Sequence, residues 1–432
     1  MPYRRHLYLL LPIASMLSAL SLDETVMRGL ENSHRLASAH LQVVLADENT
    51  KEKAAKHFGA IEAVANYAHY NTPRTLYPLT PAAMASGAAK IATTQDLFSA
   101  GLRYHAALFS GFAMQDDADI AGIREKIASL QYGLEREALI YAIRSAYVDA
   151  LAARAGTAAW QAYTGALQAL YKSTEKEVSL GKKAPVELLK VDAERLKSET
   201  ISEEFNTQTR SLTSLLTVLT GGSGPVEPLE EIDEFPLTAA FDVAEHSSKV
   251  SIADLEVERA AKDEHKSHAD SLPQIGIEGY YGYSYGPNDA TNPNSGTWEH
   301  QELWNAGLNV QWTLSDFGAS SARRQQSRIL KMKQEQAEAE TLLQTGHERH
   351  DAARRFETAQ RRYRLTEKEY ALAQKTEEIE TIRYREGEIG MNDFLQQKAK
   401  SQLARSEMIA SRYAMLKAYY TLEYLYEQGD PQ

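Results

Sequence analysis

The amino-acid sequence predicts an α+β membrane protein that is a tandem duplication of one strand-and-helix unit. Three observations support this fold class: the chain repeats itself internally, its predicted strands alternate between apolar and polar side chains, and long stretches between them contain no proline. A repeat of this size implies that one structural unit occurs twice, and alternation is typical of strands with two different faces. We therefore expect four strands per chain in the wall of a β-barrel, continued by long helices.

Composition and charge exclude several classes of protein. The chain has 432 residues, 43% of them hydrophobic, and a formal net charge of −12. Its Lys and Arg residues are scattered among Asp and Glu, whereas nucleic acid needs a basic face, so we expect no nucleic-acid partner. Because the chain has no Cys, disulfides, a thiol nucleophile and a lipid carried on an N-terminal Cys are excluded.

Residues 1–19 have the organisation of a secretory signal peptide. Arg4 and Arg5 precede an apolar run that ends at Leu17, and small residues follow up to Ala19. The run is shorter than the roughly 20 residues that a membrane-spanning helix needs. We expect export with cleavage near Ala19; a short N-terminal anchor helix is the alternative. No later run is long enough to span as a helix, so any span must consist of strands.

The internal repeat is visible as two aligned copies whose offset changes once, from 255 − 41 = 214 to 307 − 101 = 206 residues. Leu41 aligns with Leu255 and Ile61 with Ile275, and LFSAGLRYHAALFSGF later aligns with LWNAGLNVQWTLSDFG after one gap. The gap falls between Tyr67 and Leu97, and both this segment and its counterpart at residues 286–300 are rich in Pro, Gly, Asn and Ser, which predicts loops. Each copy therefore has the order helix, strand, loop, strand, long helix, short turn, helix.

The domain boundaries follow from this alignment. We predict repeat 1 over residues 20–220, a linker rich in Gly, Pro and acidic residues over 221–236, and repeat 2 over 237–429. The expected strands lie near residues 60–70, 97–109, 274–285 and 303–314.

The predicted strands are apolar on one face and polar on the other. On the apolar face, we expect four side chains to contact lipid: Leu102, Leu308, Val310 and Trp312. On the polar face, we expect five to line a water-filled lumen: Arg103, His105, Glu278, Asn309 and Gln311. A half-buried sheet on a soluble core is the commoner meaning of alternation, but aromatic residues at the strand ends and the signal for export favour a barrel.

Four strands cannot close a barrel, and open edges in lipid leave backbone groups unpaired. Several chains must therefore contribute strands to one wall. The helices agree with such an assembly, because the proline-free segment 319–383 could form a rod of roughly 100 Å with two stripes on nearly opposite sides. One stripe contains Phe356, Tyr363 and Tyr370, and the other contains Leu365, Leu372 and Ile379. Each stripe allows contact with a neighbouring helix.

Two sequence motifs resemble those of the TolC family of outer membrane efflux proteins, and the hairpin motif occurs in both copies of the repeat. The strand and turn pattern G-x-x-x-x-W-x-L-F-D-x-G is similar to the set Gly307, Trp312, Leu314, Asp316 and Gly318. The hairpin pattern Y-x-x-G-x(5)-D-x-L is similar to Tyr384, Gly387, Asp393 and Leu395, and in the first copy to Gly181, Glu187 and Leu189. The resemblance covers nearly the whole chain after the signal.

The resemblance implies a homotrimer in the outer membrane of a Gram-negative bacterium, with a twelve-stranded barrel above a helical periplasmic α-barrel. Such a channel is a passive exit duct of a tripartite efflux or type I secretion system. Its implied partners are outer membrane lipid, a periplasmic adaptor (membrane fusion) protein and an inner-membrane pump of the RND, ABC or MFS type. No cofactor or metal is implied.

The resemblance also implies site residues. Asp393 matches a carboxylate of the periplasmic aperture, Tyr384 a tyrosine of its polar network, and Glu187 the related position of the first copy. This sequence departs from the family at two positions: the family has an acidic residue where this chain has Gln396, and a basic residue where it has Ile389. For Asp393 and Glu187, an interaction with the helix dipole is the alternative role. The hairpin residues expected to contact the adaptor are Gly181, Lys182, Gly387 and Glu388.

An enzyme would need a convergent site, and the sequence suggests none. His347 and His350 lie on a helix without the spacing of a metalloprotease, and His265 and His268 have no third ligand nearby. We expect both pairs on solvated helix faces. The second functional hypothesis is a soluble, elongated coiled-coil scaffold, which would account for the helices but not for the strands or the signal.

Overall fold

The structure is a computed structural model that describes residues 20–76, 78–85, 87, 91–222, 226, 229–232, 247–287 and 298–429. The predicted signal peptide, residues 1–19, and most of the predicted linker therefore lie outside the described residues. The chain forms two compact units: one contains residues 41–130 and 250–341, and the other contains residues 1–40, 131–249 and 342–432.

The first of these units contains one four-stranded antiparallel sheet. Its strands are β1 (Ala60–Thr75), β2 (Thr93–Phe109), β3 (Gln274–Pro287) and β4 (Trp298–Gln311). They are hydrogen-bonded in chain order, β1-β2-β3-β4, so that β1 and β4 are the edges of the sheet. The register pairs Leu102 with Tyr281 and Ile277 with Leu308, which places the apolar residues of the strands on one face.

The fourth strand ends at Gln311, earlier than the boundary near residue 314 that its alternation predicts. The chain turns there, and Asp316, three residues before the start of the next helix, accepts hydrogen bonds from backbone groups at that start. Its Oδ2 accepts a hydrogen bond from the backbone N of Ser320 at 2.6 Å, and its Oδ1 accepts one from Gly318 at 3.2 Å. Trp312 therefore lies just beyond the strand, where its Nε1 donates to the Ser271 carbonyl oxygen at 3.2 Å.

Two strands approach closely at a pair of glycines on the polar face of the sheet. A Cβ placed on Gly101 would lie 2.5 Å from the Tyr281 carbonyl oxygen and 2.7 Å from Gly282 Cα. It would also lie 2.8 Å from Cζ of Tyr280, whose ring covers both glycines. The absence of side chains at these two positions therefore allows the Tyr280 ring to lie against the sheet.

The order of the helices follows the repeat. The helices are α1 (Leu22–Asn32), α2 (His34–Ala55), α3 (Pro81–Ala85), α4 (Ala113–Ser179), α5 (Pro185–Leu219), α6 (Ser248–Lys266), α7 (Ala319–Arg385) and α8 (Met391–Leu425). Helices α2, α4 and α5 of the first copy correspond to α6, α7 and α8 of the second, and α1 and the short α3 have no counterpart among the described residues. Both α4 and α7 have 67 residues, and both α5 and α8 have 35. The equal lengths agree with the predicted duplication. None of the helices in the described part of the chain is long and apolar enough to cross a membrane.

Local sequence accounts for where several helices begin. In α1, Ser21 Oγ accepts from the backbone N of Glu24 and the Glu24 carboxylate accepts from the Ser21 N, both at 3.2 Å, which is a capping box. In α5, Pro185 occupies the first turn, where a missing backbone N–H has no consequence.

The second unit has its main core between α1, α4, α5 and α8. Tyr147 is fully buried there, and its hydroxyl lies within hydrogen-bond distance of the carbonyl oxygens of Leu20 (2.7 Å) and Glu230 (2.8 Å). Burial raises the pKa of Tyr147 to about 12. Arg154 Nη1 donates to the Leu229 carbonyl oxygen at 2.6 Å. Helix α4 therefore bonds both to Leu20, the first described residue, and to residues 229–230 of the segment between the repeats.

The two stripes predicted on α7 have different environments. Phe356 is buried with Ala352 against Met415 and Leu422 of α8, and the Thr366 and Ser411 hydroxyls lie 2.6 Å apart in the same interface. The second stripe is largely exposed: Leu365 is 56% exposed, Leu372 68% and Ile379 58%. One chain thus covers only one of the two stripes.

The glycine contact in the sheet yields a stability prediction. We expect Gly101→Ala to destabilise the folded protein by about 1–3 kcal/mol, because its new methyl group would overlap backbone atoms of β3. Thermal unfolding of the purified protein in detergent measures the effect. Gly307→Ala is the matched control, since nothing lies within 4 Å of a Cβ at that position in β4. Equal stability of the two variants would contradict the close approach.

Candidate functional site

Two helical hairpins, α4–α5 and α7–α8, contain the residues predicted for the aperture and for contact with the adaptor. The turns depend on Gly181 (φ 70°) and Gly387 (φ 80°), whose left-handed backbone favours glycine. The N–H of each following residue bonds back into the preceding helix: Lys182 N to the Glu177 O at 2.8 Å, and Glu388 N to the Arg383 O at 2.9 Å. The two copies therefore make the same kind of turn.

A shared hydrophobic cluster holds the two hairpins together. Its buried members come from both hairpins: Trp160, Tyr163, Leu167, Val191, Met391, Phe394 and Leu395. Trp160 and Leu167 are seven residues apart on α4, and Met391, Phe394 and Leu395 lie in the first turns of α8. The position of the α8 start is thus set by apolar packing against the other hairpin.

One polar contact crosses from the first hairpin to the second. Lys183 Nζ donates to the Tyr384 hydroxyl and forms an ion pair with Glu177 Oε2 at 2.7 Å. The same ammonium lies 4.7 Å from the centroid of the Tyr384 ring, which itself stacks on Phe394 with 4.4 Å between centroids. Burial lowers the pKa of Lys183, but the bonds to Glu177 and Tyr384 outweigh it, so the pKa is raised.

Sequence reasoning missed Lys183, although a signal for it exists. The expected basic residue two positions after the hairpin glycine is replaced by Ile389 in the second copy. At the corresponding position of the first copy, two residues after Gly181, stands Lys183. The structure brings this lysine to Tyr384, so a basic residue is present beside the predicted network tyrosine but comes from the other repeat.

Four predicted site residues line one groove between the hairpins, whose volume is about 900 Å³: Lys182, Glu187, Tyr384 and Gly387. Lys183, Lys398 and Glu177 line it too. Asp393, Gln396, Gly181 and Glu388 are not among its lining residues. Glu388 is exposed and accepts a hydrogen bond from Arg383 Nε at 3.2 Å.

The predicted aperture carboxylates lie in the first turns of two helices. Asp393 follows the start of α8 and is exposed, as is Gln396, whereas Glu187 is half-buried near the start of α5. Neither helix start has a side-chain cap hydrogen bond. These positions suit a carboxylate facing a pore and also one that interacts with the helix dipole.

The polar face of the sheet brings together three predicted lumen residues. Arg103 Nε lies 3.8 Å from Glu278 Oε1, and His105 Nδ1 lies 4.0 Å from Glu62 Oε2. Glu62 was missed because the alternation of β1 is weaker than that of the other strands. Asn309 and Gln311 are on the same face but pair with Gly276 and Gln274, further along the strands.

The apolar face of the sheet is exposed in the single chain. Leu102 is 55% exposed, Leu308 68% and Val310 64%, and Trp304 in the same sheet is 72% exposed. Trp312, also predicted to contact lipid, is exposed just beyond the end of β4. A contiguous apolar surface of this kind marks a site of contact with protein or membrane.

The histidine pairs have different surroundings. His347 and His350 are exposed on α7. His265 and His268 are exposed as well, and His265 Nδ1 lies 2.6 Å from Oδ2 of the buried Asp116. Within the described residues, no group of three or more His, Asp or Glu side chains is arranged to hold a metal ion.

Comparison with protein families identifies the class of protein. The sequence matches the family described as "Outer membrane efflux protein" over residues 26–222 and 242–426. The chain therefore belongs to this family. No curated protein matches the sequence.

Solved structures confirm the predicted fold class. A membrane protein from Pseudomonas aeruginosa has a TM-score of 0.81 at 15% identity, covering 95% of this chain and 91% of that one. The CmeC outer membrane channel of Campylobacter jejuni has a TM-score of 0.79 at 15% identity, covering 94% and 86%. The outer membrane protein VceC of Vibrio cholerae has a TM-score of 0.79 at 16% identity, covering 94% and 96%.

The contact between the hairpins yields a second prediction. Lys183→Met keeps the aliphatic stem and removes the ammonium, so the hairpins lose charge-assisted bonds worth about 1 kcal/mol in this partly exposed position. Backbone amides near Tyr384 should then exchange with deuterium roughly fivefold faster.

Because the pKa of Lys183 is raised, the stabilisation is fully present at neutral pH and is lost as the pH rises through that raised value.

Lys182→Met is the matched control, since it removes the same charge from the exposed neighbouring residue. Hydrogen exchange followed by mass spectrometry compares the two variants with the unmodified chain. If both variants exchange alike, the bond to Tyr384 does not stabilise the paired hairpins.

Proposed function

We propose that the chain is the outer membrane channel of a tripartite efflux or type I secretion system. It serves as a passive exit duct for substrates that an inner-membrane pump of the RND, ABC or MFS type delivers through a periplasmic adaptor. The observation that carries this proposal is the sheet, which is apolar and exposed on one face and polar and charged on the other. A soluble coiled-coil scaffold leaves such a sheet and the family membership unexplained.

The free edges of the sheet support an assembly of three chains. In the described structure, β1 and β4 each pair on one side only. In lipid, every unpaired backbone group costs several kcal/mol, so an open edge cannot persist. Pairing β1 of one copy with β4 of the next removes all edges, and three copies of four strands close a twelve-stranded barrel.

The exposed stripe of α7 supports the same assembly. Leu365, Leu372 and Ile379 have no cover in one chain, and α5 carries exposed apolar residues of its own, including Leu189 and Leu196 at heptad spacing. Apolar stripes of this kind pack against neighbouring helices. In a trimer, the uncovered stripes of adjacent copies meet, so that the helices enclose a tunnel.

Assembly can be tested on the stripe itself. We expect Leu372→Glu to abolish the trimer, because burying a carboxylate without a partner costs several kcal/mol in each interface. Outer membrane fractionation and electrophoresis without boiling measure the heat-modifiable oligomer. Gln374→Glu is the control, as it adds the same charge about 200° away around the helix. A trimer that tolerates Leu372→Glu contradicts this interface, and an unmodified chain that fractionates as soluble protein overturns the channel.

The hairpin ends are proposed as the periplasmic aperture. Three copies of Asp393 around a narrow opening would attract cations and repel anions, as charged rings do in channels. The contact of Lys183 with Tyr384 joins the two hairpins of one chain and would have to break if they separate on opening. Gln396 in place of a second acidic residue leaves this ring less charged.

The adaptor is proposed to bind at the same end. Gly181, Lys182, Gly387 and Glu388 form the exposed tips of the two hairpins. Exposed turns at the ends of long helices are accessible to a partner protein. Lys182 and Glu388 offer charges of opposite sign to such a partner.

The role of Asp393 can be tested in planar bilayers. We expect Asp393→Asn to lower the preference for K⁺ over Cl⁻ by about twofold or more, because the substitution removes three charges from the narrowest part of the pore. Reversal potentials in a KCl gradient measure the permeability ratio. Asn392→Ala, at the exposed neighbouring position, should leave that ratio unchanged. An unaltered single-channel record for Asp393→Asn would exclude the residue from the aperture.

A further inference from the structure

We propose that the polar face of the sheet carries a cation-attracting ring inside the β-barrel, formed by Glu62, Arg103, His105 and Glu278. The ring is a specificity element for charged solutes, separate from the periplasmic aperture. This inference rests on the proposed function, because it requires the polar faces of three sheets to enclose one lumen.

The charges of the polar face are concentrated in two neighbouring rows. Glu62 pairs in register with Arg103, and the next residue pair on the same face along the two inner strands is His105 with Glu278. In the regular pairings of the described strands, Glu299 is the only other charged residue on this face, and it pairs with Gly286 at the opposite end of the sheet. Repeated three times, the two rows form a narrow charged band around the lumen.

The band has a negative net charge. Two carboxylates, those of Glu62 and Glu278, accompany one guanidinium, that of Arg103. The ion pair of Arg103 with Glu278 is long, at 3.8 Å, and His105 Nδ1 lies 4.0 Å from Glu62 Oε2; the four side chains are between 44% and 58% exposed. Ion pairs of such length and exposure are weak, so the net charge remains available to a solute. Three chains present six carboxylates and three guanidinium groups.

The surroundings of the band do not shield it. Further along the face lie Gly101, Gly282, Ser99 and Ser284, which are small and uncharged. The ring of Tyr280, which is in register with Arg103, lies flat against the two glycines instead of projecting from the sheet. The charged side chains are therefore the longest flexible groups on this part of the polar face. A cationic solute gains attraction there, and an anionic one meets repulsion.

The absence of Cys makes a direct measurement possible. Asn305 is exposed and belongs to the same row as Glu62, Arg103 and Tyr280. Asn305→Cys therefore places one thiol per chain beside the band. The rates of its reaction with a positively and a negatively charged methanethiosulfonate of similar size report the local potential. Purified trimers in lipid nanodiscs admit both reagents from the open end of the barrel, without passage through the aperture.

The expected outcome follows from the sign of each charge. In the Asn305→Cys background, Glu62→Gln with Glu278→Gln should lower the ratio of cationic to anionic reaction rates by about threefold or more. Arg103→Gln should raise the same ratio. Glu302→Gln, which removes a carboxylate from the opposite face of β4, is the matched control and should leave the ratio unchanged.

The outcomes separate this inference from the proposed function. A neutral methanethiosulfonate checks that the thiol remains accessible in each folded trimer. If the thiol reacts but its ratio is the same in all variants, the charged band is overturned and the channel remains. If the thiol of folded trimers reacts with no reagent yet reacts after unfolding, the polar face does not line a water-filled lumen, and both proposals fail.

Discussion

The backbone hydrogen bonds of the sheet impose the constraint on which the other features depend. A β-strand satisfies its N–H and C=O groups only through neighbours on both sides, and lipid offers no substitute for a missing neighbour. The four strands of one chain leave one free edge on β1 and one on β4. A chain with such edges and an exposed apolar face can be stable in a membrane only as part of a closed assembly. The exposed stripe on α7 has the same consequence for the helices.

The duplication explains how one chain supplies two similar but unequal hairpins. Their turns have the same backbone geometry at Gly181 and Gly387, and the helices on either side have equal lengths. After duplication, the side chains around the turns diverged. Two positions after the turn glycine, Lys183 of the first copy corresponds to Ile389 of the second; three positions before it, Tyr384 of the second copy corresponds to Val178 of the first. The polar contact between hairpins is therefore asymmetric, and each repeat provides a group that the other lacks.

The apolar cluster beneath the hairpin ends makes this contact specific. Phe394 packs in the cluster and also stacks on Tyr384, so the ring of Tyr384 has a defined plane before Lys183 reaches it. A lysine side chain is flexible and loses considerable conformational entropy when held in place. Because the Tyr384 ring is already fixed by packing, only the Lys183 side chain loses conformational entropy when the contact forms. Apolar packing and the charge-assisted bond therefore reinforce one another across the two repeats.

The sequence by itself determined the order of strands and helices, the extent of α7 and the two stripes along it, because periodicity is a local property of a chain. It also identified Arg103, His105 and Glu278 as residues of one face. Only the tertiary structure decided that Glu62 lies beside His105, that Asp116 pairs with His265, and that Lys183 meets Tyr384, 201 residues away. These partners depend on strand register and helix packing, which bring together residues distant in the chain and leave no periodic signal in it.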